Sequence, residues 1–335
     1  MFSHYMELSL FERKHYDKFL FAMQQGDFQV MAIGVCKLDT LQKIVTAINY
    51  DHPEILYVDF QHINCAVMPM GMVYHIQYLV SPIMRGVVIK DMEEWIEKVL
   101  VQAHIKKSDT VVDICRKIHN YLIKHVRYSY VALQNPERMP EAFTVKGVFE
   151  SGEAVCEGIS KAFKLLAERA GVDIYIMKGI SSMKGMGQSI PHAWNVVKIE
   201  EGYAHIDVTW DLGISETSKF TRYDYFMVPD EWIQADHVFS NKLECVSAAN
   251  TYFVRKKCLF NGIRPLKIYL EKKCKEKSSI IYFKIIGKNG FPDDITNKVQ
   301  KLAEKMAIQS GSAYCSIIMI PNEEQNIFFF KMGWQ

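Results

Sequence analysis

Ser151-Gly152-Glu153-Ala154-Val155-Cys156-Glu157-Gly158 is the stretch on which the fold turns. A loop opening at Gly147 gives way here to a helix that starts near Cys156, with Ile159, Phe163, Leu166 and Ala170 in helical rhythm and Gly171 as its left-handed C-terminal cap. A thiolate at a helix start meets unpaired backbone N–H groups and the positive end of the helix dipole, both of which favour the charged form. Glu157 opposes that effect if its carboxylate points inward. Cys156 is one of eight cysteines, and its plain reading, taken alone, is a buried structural thiol.

A second block lies 36 positions on, Pro191-His192-Ala193-Trp194-Asn195. A thiol nucleophile needs a base that can later protonate a leaving group, and imidazole titrates near neutral pH. The alternative for a histidine at a strand end is a solvated or satisfied side chain. The third block, His205-Ile206-Asp207-Val208-Thr209-Trp210-Asp211, follows 15 positions after His192. An aspartate inside an apolar strand is costly unless it is paired, and a histidine partner would satisfy it and fix the imidazole tautomer. Strands at 193–199 and 203–210 flank Glu200-Glu201-Gly202, which has hairpin-turn chemistry. With the turn centred on Glu201-Gly202, His192 and Asp207 share a face. Asp207 then sits opposite Val196, about 13 Å along the strand from His192. A bulge, a longer loop or another register must close that gap.

Outside these blocks the pattern is mixed. Helices are expected over 8–23, 38–50 and 90–104, with strands over 55–58, 63–67 and 73–80. A further helix to about His125, capped by Ser108 or Asp109, has Val111, Ile114, Cys115, Ile118 and Leu122 on its apolar face. A strand over 172–177 leads into a polar, glycine-rich loop containing Lys184-Gly185-Met186-Gly187, which lacks the GKS or GKT ending of a phosphate loop and reads as a mobile loop bordering the site. Beyond 240 we expect a helix over 266–277, a strand over 280–286, a helix behind Asp293 or Asp294, and strands over 315–320 and 327–330.

The bulk composition excludes several classes. Apolar residues make up 49% of the 335 residues and charged ones 23%, ordinary values for a globular protein long enough for two or three domains. A net charge of +2, with the Lys272–Lys277 run interrupted by Glu276, gives no reason to expect nucleic acid or an acidic membrane as partner. No CxxC pair or HExxH motif suggests zinc, so neither a structural metal nor a metal-dependent hydrolase is expected, and Asp211, Glu216 and Asp224 are too scattered for calcium. No cofactor is expected. The N-terminal stretch lacks a signal-peptide apolar core and no run could span a bilayer, so the expected setting is the cytoplasm, with reduced thiols. Nothing indicates the oligomeric state.

Taken together, the blocks resemble the transglutaminase-like superfamily, a branch of the papain-like folds. Ser151–Gly158 is similar to that family's nucleophile loop, His192-Ala193-Trp194-Asn195-Val196-Val197 to its histidine strand, and Asp207-Val208-Thr209-Trp210-Asp211 to its acidic strand. Ile118-His119-Asn120-Tyr121 through Arg127-Tyr128 resembles the upstream helix and aromatic strand, and Tyr225-Phe226 with Asp236-His237 the tail of the core. The resemblance implies an α+β fold: a papain-like transglutaminase core over 106–240, with α+β accessory regions over 1–105 and 241–335. It also implies a Cys156–His192–Asp207 triad acting on protein or peptide amides by acyl transfer, as a cysteine peptidase, deamidase or transglutaminase. The family's frequent aromatic after the cysteine is replaced here by Ile159, and the paired CxxC motifs of the related peptide N-glycanases are absent. Trp194 and Trp210 either pack the sheet or line a substrate cleft. His205 is the lesser alternative as base. A non-catalytic protein-interaction module that keeps the fold is the rival class.

Overall fold

The computed structural model describes residues 2–35, 37–182, 189–240, 243–287, 294–310 and 315–334. The fold is α+β, with a three-stranded, a five-stranded and a four-stranded sheet and one two-stranded ladder among the described residues. Lys184–Gly187 lies outside those residues.

The N-terminal helix Leu10–Gln25 starts two residues later than its apolar pattern suggests, because Ser9 and Glu12 form a reciprocal capping box. Helix Leu38–Asp51 ends at the His52-Pro53 break, as its sequence implies. The small antiparallel sheet places Gly71–His75 between Gln29–Ile33 and Asn64–Met68. The strand expected over 55–58 is not one: Val58 makes an isolated bridge to Tyr78, and Ile55, Leu56, Tyr57 and Val58 are buried along a turn. A short apolar run reports burial and leaves backbone conformation open.

The central sheet is antiparallel throughout, in the order His237–Val238, Ile174–Ser182, Ser189–Ile199, Gly202–Ile206, Phe226–Val228. Alternation along its strands feeds two cores. Ile174, Val197, Ala204 and Ile206 join helices Arg85–Gln102, Val111–His125 and Cys156–Arg169 in one apolar cluster. Tyr175, Met177, Trp194 and Val196 join the C-terminal region in another. Helix Val111–His125 is capped by Thr110, whose hydroxyl accepts from the Asp113 N–H, rather than by Ser108 or Asp109. Helix Arg85–Gln102 and the C-terminal sheet thus each share a core with residues 106–240.

The C-terminal sheet runs Leu259–Phe260, Ile280–Ile285, Ile327–Trp334, Cys315–Asn322, backed by helices Ile263–Lys275 and Ile295–Gln309, the latter capped by Asp294. A buried polar knot ties it to the core. Arg222 donates to both Asp224 oxygens, at 2.9 and 2.8 Å, and reaches the Ile320 carbonyl at 3.3 Å, while Asn322 donates to Asp224 at 3.1 Å. Arg222 and Asp224 are wholly buried. Removing one partner strands the other charge away from water, so Asp224→Ala should lower the unfolding free energy by about 3–5 kcal/mol in a urea titration.

Candidate active site

The loop into the cysteine helix is set by pairing. Arg127–Tyr128 runs parallel to Glu153–Ala154, and the Val155 N–H donates to the Ala142 carbonyl at 3.1 Å. Residue 158 must be glycine, because a Cβ there would lie 2.4 Å from the Ala142 carbonyl oxygen. The helix therefore begins with its first turn pressed against residues 142–144, and Val155 provides no side-chain cap. Cys156 opens the helix at 8% exposure. Glu157 does not work against the thiol as an unpaired charge: Lys161 and Asn49 donate to its carboxylate at 2.7 and 2.9 Å.

The hairpin departs from the expected register by two residues. Ile199 pairs with Gly202 and Asn195 with Ile206 around a two-residue Glu200-Glu201 turn. Extending that register brings Asp207 level with Trp194, two residues from His192, which halves the expected separation. The strand then stops. Asp207 is not a strand residue but the N-cap of helix Val208–Ser218, accepting from the Trp210 N–H through Oδ1 at 3.1 Å. That cap turns Oδ2 towards the neighbouring strand. There it meets His192 Nε2 at 2.6 Å.

His192 is 5% exposed and Asp207 fully buried. Cys156 is near enough to the His192 ring to favour its charged form, and because Nε2 is engaged by Asp207, Nδ1 is the nitrogen left to face the sulfur. Burial disfavours the imidazolium, but the Asp207 charge and the hydrogen bond Asp207 accepts, with a smaller contribution from Cys156, outweigh it and push His192 up to about 10. Asp207 is correspondingly held well below the usual carboxylate range, its burial outweighed by His192 and by a second imidazole, His237.

His237, which the sequence places only in the tail of the core, also belongs to the site. Its Nε2 lies 3.1 Å from the same Asp207 oxygen and its Nδ1 2.5 Å from Asp236. Strand His237–Val238 packs beside Ile174–Ser182, where Gly179 leaves the room: a Cβ at 179 would lie 2.5 Å from the Val238 carbonyl oxygen. The two tryptophans divide. Trp194 is wholly buried, stacks on His192 at 5.6 Å and donates to His205 Nδ1 at 3.0 Å, so it packs the sheet and offers no surface to a ligand. Trp210 sits on a helix, not on a strand, and stands edge-on to His192 at 6.4 Å with partial exposure. His205 is engaged at both ring nitrogens, with its Nε2 on Asp230 at 2.7 Å and its Nδ1 accepting from Trp194.

Among the described residues, two donor sets have ligand atoms within 4.8 Å of one another: His192, Asp207 and His237, and His205, Asp230 and Cys245. A metal needs an unprotonated imidazole nitrogen. In the first set the shared Asp207 favours the protonated form of both imidazoles. In the second, Trp194 donates to His205 Nδ1, which puts the ring proton on the Nε2 that would have to ligate. Neither set suits a cation. A cleft of about 1290 Å³ borders the sheet edge near Met177, Ile180 and Phe239, and none of Cys156, His192 and Asp207 lines it.

The pair titrates in opposite senses. The raised His192 contributes stability that is complete below pH 6.5 and is lost as pH rises through about 10. The depressed Asp207 contributes stability present above its ordinary value of 3.8 and lost as pH falls through its lower folded value. Asp207→Asn should therefore lower stability at pH 7 and flatten its decline between pH 6.5 and 10, as measured by urea unfolding across pH.

Residues 99–208, which include Cys156, His192 and Asp207, match the family model of the Transglutaminase-like superfamily. Kyphoscoliosis peptidase of Homo sapiens is 30% identical over 162 residues, covering 45% of this chain and 23% of that protein, and the Mus musculus protein gives the same figures. The chain thus spans less than a quarter of the length of these relatives. A solved structure described as "Crystal structure of a TGase" is 17% identical, covers 44% of each chain and has a TM-score of 0.30. No helix among the described residues is long and apolar enough to cross a membrane. About a third of the chain, residues 99–208, is thus similar to the transglutaminase-like superfamily.

Proposed function

We propose that the chain performs thiol-dependent acyl transfer or hydrolysis on protein or peptide amides, with Cys156 as nucleophile, His192 as base and acid, and Asp207 as the orienting carboxylate. The observation that carries this reading is the 2.6 Å bond from His192 Nε2 to a buried Asp207, which leaves the other ring nitrogen to the sulfur. In the first step the Cys156 sulfur bonds to the amide carbonyl carbon. The C–N bond breaks as His192 gives its proton to the leaving nitrogen, and a thioester remains. In the second step water or an amine attacks the thioester while His192 takes up its proton, and the sulfur leaves.

Water is the acceptor we favour. No amine pocket can be read from the chain, and the curated relatives carry the name peptidase. We assign the chemistry to residues 106–240, treat 1–105 and 241–335 as accessory regions, and place the protein in the cytoplasm, in keeping with its unbridged described cysteines. A second reading, a non-catalytic interaction module, draws on the low exposure of Cys156 and His192, 8% and 5%.

A glutamine-containing peptide, incubated with and without an added amine, separates these readings. Chain cleavage marks a peptidase, ammonia alone a deamidase, and ammonia with amine incorporation a transglutaminase. Cys156→Ala should reduce whichever activity is found by about a thousandfold or more. Activity that survives the substitution would remove Cys156 from the chemistry.

A further inference from the structure

The triad as proposed uses one imidazole on Asp207, yet the carboxylate holds two. His192 Nε2 at 2.6 Å and His237 Nε2 at 3.1 Å both donate to Oδ2, and the rings stand 5.4 Å apart. His237 is 1% exposed and is fixed from behind by Asp236, whose other oxygen accepts from the Tyr225 hydroxyl at 2.7 Å and from Gln325 Nε2 at 2.9 Å. Gln325 belongs to the turn between the last two strands, so this chain of bonds runs from the C-terminal sheet to the imidazole proposed as base: Gln325, Asp236, His237, Asp207, His192.

We propose that His237 is a positioning residue: anchored by Asp236, it holds the Asp207 carboxylate against His192 and shares its negative charge, so that His192 releases its proton more readily than it would with Asp207 to itself. The inference rests on the triad reading above. An acid works best when its affinity for the proton is not far above the working pH, and a buried carboxylate paired with one imidazole alone grips the proton hard. A second cation beside Oδ2 weakens that grip in two ways. It occupies part of the oxygen's hydrogen-bonding capacity, and it repels the His192 charge across a dry gap.

The charged form of His237 is itself favoured. Burial works against its cation, and the hydrogen bonds and charges of Asp207 and Asp236 outweigh that and raise it above its ordinary value. The other groups facing it are His192 on strand Ser189–Ile199, His205 on Gly202–Ile206, Ser181 across the sheet edge and Tyr225 beside Phe226–Val228. Lys284 of the C-terminal sheet acts on Asp236 from behind. The two carboxylates nearest to His237 exceed the cations that oppose its charge in proximity and in hydrogen bonding.

Ring-nitrogen NMR of the full chain carrying ¹⁵N-histidine tests the proposal, with amide turnover as the second readout. His237→Gln keeps an N–H donor for Oδ2 without the charge. Its His192 midpoint should rise by half to one pH unit from about 10, while turnover falls only severalfold. His237→Ala loses the donor as well, and turnover should fall ten- to a hundredfold with KM little changed. Asp236→Asn should move the midpoint in the same direction by a smaller amount. Should His237→Ala fail to fold, the other two variants, which preserve shape, decide the matter. An unchanged or lower His192 midpoint in both folded variants overturns the proposal. Failure of the triad reading shows separately, as activity that survives Cys156→Ala.

Discussion

A carboxylate with no exposed surface, Asp207, is the constraint on which this molecule is organised. An isolated buried anion is too costly to keep, so donors must converge on it from several elements at once. They are the Trp210 N–H of its own helix, His192 from the neighbouring strand and His237 from the far edge of the sheet. Each donor fixes a feature of the fold: where a helix begins, how a hairpin is registered, and why a two-residue edge strand closes against Gly179. Other buried charges in the core follow the same rule. Asp211 pairs with His119 at 2.9 Å and Arg222 with Asp224 at 2.8 Å. Burial raises the Asp211 carboxyl even so, whereas Asp207, with two imidazoles, is driven the other way.

Much of the central region is legible from sequence, because long periodic elements carry their own signal. Ile159, Phe163 and Leu166 mark one face of the cysteine helix, and all are buried. Ile114, Cys115, Ile118 and Leu122 do the same for the helix before it. The hairpin was visible from Glu200-Glu201-Gly202, yet its register came out two residues off, since a turn of two residues and one centred a residue later read alike. That displacement is what separates Asp207 from His192 in the expected register. Reading Asp207 as a strand residue added to the error, although aspartate ahead of a new helix is a common cap.

His237 illustrates what sequence reading misses. It lies 30 positions beyond Asp207 on a strand of two residues, too short for any period to show, and outside the 99–208 family match. Its significance comes from the sheet order, which places the last strand next to the first. The contacts of the N-terminal region are hidden in the same way. Asn49 joins Glu157 and Lys161 across more than a hundred positions, so the helix at 38–51 lies against the start of the cysteine helix. Nothing local in Asn49 announces this.

The central claim is that Cys156 is an activated sulfur beside His192, set apart from the structural thiols around it. The most direct measurement is the alkylation rate of each cysteine by iodoacetamide at neutral pH in the folded protein, read by peptide mass spectrometry. The account predicts that Cys156 reacts well ahead of Cys115 and Cys245, despite being nearly as buried, and that His192→Ala removes the lead. Equal rates at the three cysteines in the folded chain would contradict it.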